Sequence, residues 1–328
     1  MKWKKLGQVF NPQTWDDGVQ RDWMFSHSQC TSTLVFDDFV RVYFSCRPKN
    51  DEQGQATSYT TFLDLDKNDL QKVLRVSNEP VLPLGELGTF DRNAIYPTSV
   101  IRRGGTSKHK DKFRLYYAGW SRCKEVPFNT SIGLAESEDS EKFHRIGNGP
   151  IISHSPDEPF VISGPKVRVF DDRWYMYYLA GSKWLMHNGK PEIVYKIRMA
   201  TSSDGIEWSK LNRNIICDSL EETEAQAGPD VFYHNNKYHM YFVYRKALNF
   251  RNNKENGYRI GYAYSHNLTQ WTRDDDNAGI GYSKQGWDST MLHYPHVFEL
   301  NGDLYMLYNG NDFGKYGFGL AVLEDDSL

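Results

Sequence analysis

The chain is poor in several features that would each point to a class of protein. Its 328 residues include only four cysteines, Cys30, Cys46, Cys123 and Cys217. They share no CxxC or metal-type spacing, so they read as isolated reduced thiols, not as a disulfide framework or a metal knot. No apolar run approaches ~18 residues, which excludes an ordinary membrane-spanning helix. The opening MKWKKLGQVF has no apolar core of the kind a secretory signal needs. An excess of one charge is missing too: 39 basic residues stand against 42 acidic ones. No basic stripe therefore offers itself to nucleic acid. No long helical periodicity is present either. A cytoplasmic type of protein is expected, with no membrane span, no nucleic-acid partner, no cofactor and no metal.

Aromatic residues are abundant instead, at 15% of the chain with 21 Tyr and 9 Trp. They fall into a repeat. Four stretches place a proline at the start of an apolar run: YPTSVI at 96, GPKVRVF at 164, GPDVFY at 228 and YPHVFEL at 294. A fifth, QCTSTLVF at 29, has Cys30 at the proline position, and the anchors 30, 97, 165, 229 and 295 are spaced at intervals of 64 to 68 residues. An aromatic-rich alternating run follows each one: VRVYFS, FRLYYAG, WYMYYLAG, YHMYFVY and LYMLYNG. A third run comes next, SYTTFLDL, SIGLAES, KIRMATS, RIGYAYS and FGLAVLE. Period-two alternation rich in Tyr, Phe and Val marks all of these as β-strands.

A fourth element joins an aromatic, a small polar and a basic residue: FHRI at 143, WSKL at 208 and WTRD at 271, with LQKV at 70 a looser copy. The fifth copy is absent after the last unit but present at the other end of the chain, in WKKLG at Trp3. The first strand should therefore complete the last unit and close a ring, which leaves no open sheet edge. The expectation is an all-β, five-bladed β-propeller with four-stranded antiparallel blades. It forms one domain, with blades at about 27–75, 94–148, 161–214, 227–275 and 292–324 plus the closing strand 3–10. The turn in SSDGIEW reads as a plain Asp-Gly hairpin turn.

In such a ring the inner strands converge on one axis, and chemistry gathers where they begin. Around the anchors stand His27 and Gln29, then Asp91 and Arg92, then Glu224, Gln226 and Asp230, then Asp288 and His296. At the ends of the second strands stand Arg47, Trp120, Arg122, Arg245 and Asn311. Charges gathered on one axis must be paired or must serve a ligand. Asp91, Glu224 and Asp288 are the acid–base candidates, and the others are candidates for binding a small carbohydrate or glycoconjugate. His293 and His296 suggest a metal pair, but a three-residue step along a strand puts them on opposite faces.

The stretches YYAGW, IGLAES, ATSSDGIEW, RIGYAYS, GWDSTMLHYP and YNGNDFGKYGFGLA carry a family likeness. On them the whole chain resembles the propellers of glycoside hydrolase families 43, 32 and 130. It most resembles the glycosidase-like proteins of bacterial surface-polysaccharide gene clusters, and it is also similar to the propeller of plant glucosamine inositolphosphorylceramide transferases. The resemblance implies a carbohydrate-active enzyme. It does not carry over the family-43 acid and base, because Gln29-Cys30 replaces the first aspartate, and Ser163 and Ala227 precede the two Gly-Pro pairs. A hydrolase would need two facing carboxyls, ~6.5–9.5 Å apart for inversion or about 5–5.5 Å for retention. A family-130-like phosphorylase would need one acid and a cationic nest, for which Arg47, Arg122, Arg245 or Lys166 are available. Glycosidase-type hydrolysis by paired carboxylates is the leading expectation, a non-catalytic glycan-binding propeller the second and such a phosphorylase the third.

Overall fold

The computed structural model describes residues 1–104, 112–220 and 223–325. Its first strand, β1 (Lys2–Phe10), is the closing strand. Blade 1 holds β2 (Ser26–Val35), β3 (Phe39–Arg47), β4 (Tyr59–Asp66) and β5 (Asp69–Val76). Blade 2 holds β6 (Ala94–Arg103), β7 (Lys112–Arg122), β8 (Phe128–Ser137) and β9 (His144–Arg145). Blade 3 holds β10 (Ile162–Phe170), β11 (Arg173–His187), β12 (Lys190–Ser202) and β13 (Ser209–Lys210). Blade 4 holds β14 (Ala225–His234), β15 (Lys237–Arg245), β16 (Arg259–Ser265) and β17 (Thr272–Arg273). Blade 5 holds β18 (His293–Leu300), β19 (Asp303–Asn309) and β20 (Phe318–Asp325), and β1 pairs with β20 to make its fourth strand. The fold is the five-bladed propeller that the repeat implies. Among the described residues no helix is long and apolar enough to cross a membrane.

Each blade turns one face to each neighbour, so the core is divided into five clusters, one per junction. Closure uses the same chemistry. Trp3 sits in the cluster between blades 4 and 5, and its indole Nε1 donates to the Tyr241 hydroxyl at 2.8 Å. Phe10, at the other end of β1, packs on Phe44 and Phe318 between blades 5 and 1.

The register corrects the repeat by one residue. Opposite Tyr43, Tyr116, Tyr177, Tyr241 and Leu307 of the second strands lie Ser32, Ser99, Lys166, Asp230 and His296. Counting back from that ring, Cys30 shares a position with Pro97, but Pro165, Pro229 and Pro295 come one residue later. Every inner strand carries a bulge here. In four blades the residue at that position is left-handed: Cys30, Gly164, Gly228 and Tyr294. Pro97 cannot adopt a positive φ, so blade 2 makes its bulge between Pro97 and Ser99 without a left-handed residue.

The recurring glycine after the aromatic run has a packing reason. The segment leading into each blade crosses over the second strand, and at Gly119 an added Cβ would lie 2.5 Å from Asp91 Cβ and from Phe90 Cε2. Gly119→Ala is expected to cost about 1–3 kcal/mol through overpacking. Urea unfolding would show this as a lower midpoint with an unchanged slope.

Candidate functional site

The three acid–base candidates belong to a repeated structural position. Asp91 accepts from the Tyr117 hydroxyl at 3.0 Å and from Arg145 Nε at 2.7 Å. Asp288 accepts from the Tyr308 hydroxyl at 3.1 Å and from Lys5 Nζ at 2.6 Å. Glu224 accepts from Arg273 Nη1 at 2.6 Å and from Gln226 Nε2 at 2.9 Å, and also from the backbone N–H groups of Ser219 and Leu220. Glu158 fills the same position in blade 3, taking the Tyr178 hydroxyl at 2.7 Å and pairing with Lys210 at 2.5 Å. The bases Arg145, Lys210, Arg273 and Lys5 are the last members of the aromatic–polar–basic motif in the fourth strands. That motif therefore clamps the incoming segment of a blade onto the blade's outer edge. A buried carboxylate so placed is held by its cation and hydrogen bonds.

The solvent-open cavity lies elsewhere, at the axial mouth, with a volume of about 350 Å³. None of Asp91, Glu224 and Asp288 lines it. Of the other expected residues, Gln29, Arg47, Trp120 and Arg245 line it, while His27, Arg92, Arg122, Gln226, Asp230, His296 and Asn311 do not. The physical reason is the direction of each side chain. Arg122 turns outward to Asp51 at 3.0 Å and Arg92 binds the Gly85 carbonyl. His27 is left-handed, with Nδ1 at 2.8 Å from the Ser26 hydroxyl. Gln226 reaches Cys217 O, Asp218 and Glu224. Asn311 Oδ1 caps the Thr290 and Met291 N–H groups.

Asp230 and His296 fill the axis below the cavity. The Thr33 N–H donates to His296 Nε2 at 3.0 Å, so the ring proton sits on Nδ1 and is donated to Asp230 Oδ2 at 2.9 Å. Asp230 also accepts from Arg168 Nη2 at 2.5 Å and from the Val297 N–H at 2.7 Å. Burial alone would raise its carboxyl, but Arg168, Lys166 and His296 together hold it far below the usual carboxylate range. Burial and the Lys166 charge push His296 down to about 3, so it is neutral. His293, the last paired residue before the bulge, lines the cavity instead, and no group of three or more metal-binding side chains occurs among the described residues.

Two unlike walls enclose the cavity. One is aromatic: Tyr96 stacks on Trp120 with centroids 6.0 Å apart and planes 21° apart, and Trp120 meets Phe128 edge-on at 4.7 Å. Phe128 in turn meets Trp184 at 5.7 Å. The other wall carries cations. Arg245 lies 3.6 Å from the Phe250 ring centroid, and its guanidinium donates to the carbonyls of Lys246, Ala247 and Ile193. Among the described residues it meets no carboxylate within ion-pair distance. Glu192 is the one carboxylate among the described lining residues, and it is paired with Arg251.

Sequence reasoning missed Glu192, Tyr195, Arg251 and Tyr258, which the blade-3 hairpin and the segment after β15 bring to the rim. The hairpin is longer than its counterparts because β11 and β12 run to 15 and 13 residues. Its signal is legible in hindsight as the Asn188-Gly189 turn, with both residues left-handed, set well beyond the end of the repeating aromatic run. The hairpin is fastened to blade 4 by Glu192–Arg251 and by His187 Nε2 against Asn249 Oδ1 at 2.9 Å.

No family model matches the chain. An uncharacterized protein of Mycobacterium tuberculosis (strain ATCC 25618 / H37Rv), Rv1502, is 34% identical over 326 residues, covering 99% of this chain and 100% of its own. This chain belongs to the Rv1502 family. More distant similarity links this chain to a β-1,2-mannobiose phosphorylase of Thermoanaerobacter sp. (strain X514), 25% identical over 165 residues, or 47% of this chain and 49% of that one. A 1,2-β-oligomannan phosphorylase of the same strain is 22% identical over 258 residues, 77% of each chain. Among solved structures, a glycoside hydrolase superposes with a TM-score of 0.71 at 17% identity, covering 99% of this chain and 93% of its own. A thermostable family-43 glycoside hydrolase gives 0.64 at 15%, covering 96% and 94%. A Bombyx mori family-32 β-fructofuranosidase gives 0.54 at 14%, covering 92% and 62%. This chain thus shares its propeller architecture with these structures.

Proposed function

We propose that this chain is a carbohydrate-active propeller that takes a sugar or glycoconjugate into the axial cavity. The observation that carries the reading is the cavity itself, with an aromatic platform facing a wall of cations. Aromatic faces pack against the apolar faces of sugar rings, and a few convergent polar groups fix orientation. The propeller likeness to glycosidases and the two phosphorylase relatives support the same class.

Within that class the lining favours phosphorolysis over hydrolysis. Hydrolysis by paired carboxylates needs two carboxyls facing the bond, and Glu192 stands alone among cations. In phosphorolysis an oxyanion attacks the anomeric carbon, so one acid and a cationic nest suffice. Asp91, Glu224 and Asp288 have no part in this reading.

β-1,2-Mannobiose, 1,2-β-oligomannan and aryl glycosides, each incubated with and without inorganic phosphate, provide the test. Phosphate-dependent release of sugar supports phosphorolysis; equal rates with and without phosphate sink it. Sugar binding without turnover would make the chain a glycan-binding propeller. Trp120→Ala is expected to weaken binding of whichever saccharide is taken by about 2 kcal/mol, roughly thirty-fold. Isothermal titration measures this directly, and an unchanged affinity would remove the aromatic wall from the site.

A further inference from the structure

We propose that Lys166 and Arg47 form an oxyanion subsite at the floor of the axial cavity, for a phosphate or carboxylate group borne by the sugar itself. This rests on the carbohydrate reading above and adds the chemical class of the ligand.

Lys166 comes from the inner strand β10, is 6% exposed and lines the cavity. Its ammonium meets the Thr31 carbonyl at 3.3 Å and His296 Nδ1 at 3.1 Å. The second contact supplies no lone pair, because the proton on Nδ1 is committed to Asp230. Asp230 gives its own oxygens to Arg168, to the Val297 N–H and to His296. No carboxylate among the described residues lies within ion-pair distance of Lys166. A buried ammonium with one long carbonyl contact is under-satisfied, and such a group is stable only if a partner completes it.

Arg47 shows the same deficit. Its Nη2 donates to the Tyr96 hydroxyl at 3.3 Å, while its Nε is buried with no acceptor. Lys166 and Arg47 line the same cavity, as does Cys30, whose thiol burial pushes up to about 12. Tyr96, the residue Arg47 touches, is also the ring stacked on Trp120. The cations and the sugar platform are therefore contiguous. A ring lying on Trp120 would present a charged substituent to Arg47 and Lys166, where a planar fork and a point charge suit a carboxylate or a phosphate.

Lys166 is surrounded by Asp230 on β14, His296 on β18, Cys30 on β2 and Arg168 on its own strand. Burial lowers its amine to about 8, with Asp230 opposing the shift. Anion affinity should accordingly hold at neutral pH and fall as pH rises through about 8.

The test is titration calorimetry on the full chain at constant ionic strength. The probes are a neutral hexose, a hexose 6-phosphate, a hexuronate and inorganic phosphate, with a hexose 1-phosphate, which phosphorolysis would itself release, kept outside the comparison as a control. The expected result is that at least one sugar-borne anion binds tenfold or more tighter than the neutral hexose and than inorganic phosphate. Lys166→Met and Arg47→Gln should each reduce that preference at least tenfold, whereas Arg122→Ala, outside the cavity, should not. Circular dichroism of the variants confirms that they fold; a variant that does not is replaced by Lys166→Gln or Arg47→Lys. Neutral and charged sugars binding alike would overturn the subsite and leave the carbohydrate reading standing. Inorganic phosphate binding as tightly as the hexose 6-phosphate would overturn the sugar-borne anion in favour of a free one. If no sugar of either kind binds, the carbohydrate reading falls with it.

Discussion

Replacing Glu224 by glutamine is expected to destabilise the fold by about 3 kcal/mol while leaving ligand binding in the cavity intact. Glu224 is fully buried, and its carboxylate gathers Arg273, Gln226 and two backbone N–H groups at the entry to blade 4. The amide keeps the shape but offers one acceptor oxygen in place of two and leaves Arg273 with Asp275 as its remaining anion. Breaking one side of a buried pair costs about 3–5 kcal/mol, and the surviving Asp275 contact places this case at the lower end. Burial pushes the Glu224 carboxyl up, yet the bonds from Arg273 and Gln226 outweigh it, so its net shift is downward. A depressed carboxyl adds stability above its unfolded value near 4.3 and loses that contribution as pH falls through the folded value. The gap between the urea midpoints of wild type and Glu224→Gln should therefore be full at pH 7 and close only as pH falls below 4 through the folded value. The opposite pattern, an unchanged midpoint with binding or turnover abolished, would make Glu224 a working acid of the site.

The second large effect is expected at Asp230. On the axis it neutralises Arg168 directly and Lys166 at longer range, and its substitution by asparagine leaves the half-buried Arg168 and the buried Lys166 without that charge. A loss of about 3–5 kcal/mol at pH 7 follows. The sign with pH is the same as for Glu224, because the folded-state carboxyl lies well below its unfolded value of about 3.9. Its contribution is complete above pH 5 and falls away in acid, so wild type should lose stability below about pH 4 more steeply than Asp230→Asn. Parallel acid limbs for the two proteins would show that the axial carboxylate is not the charge that holds the ring. Lys166 runs the other way: with an amine depressed to about 8, its burial costs stability below pH 8, and that cost is relieved as pH rises from 8 towards the unfolded value.

The ring was legible because its evidence is additive along the chain. Five rounds of alternation and a displaced copy of the fourth strand at Trp3 allow few other closures. The site was less legible because distance from an anchor in sequence does not tell which way a side chain points. Asp91, Glu224 and Asp288 precede their inner strands much as a catalytic acid would, yet they face across their own blades towards Arg145, Arg273 and Lys5. The basic residues of the fourth-strand motif were visible from the start, and their partners were visible too; only the packing joins them. The one-residue slip at the bulges had a related cause, since proline marked the turn in every blade but 1 without marking the same atom of it. The rim was hidden for a third reason. Glu192 and Arg251 lie 59 residues apart in elements outside the repeat, so nothing periodic connects them.

The pairing of β1 with β20 sets an order of events during synthesis. Trp3, Lys4 and Lys5 leave the ribosome long before Ala321, Val322 and Leu323, the residues they pair with, have been made. Until then β1 is an unpaired strand, and blade 4 lacks the indole that meets Tyr241. The nascent chain can stack its first four blades as an open arc, but the arc has a bare end at each side until the last strand arrives. Of the propeller's strands, β1 is thus the first made and the last fixed. Until the ring closes, its two bare ends must be kept from pairing with other chains.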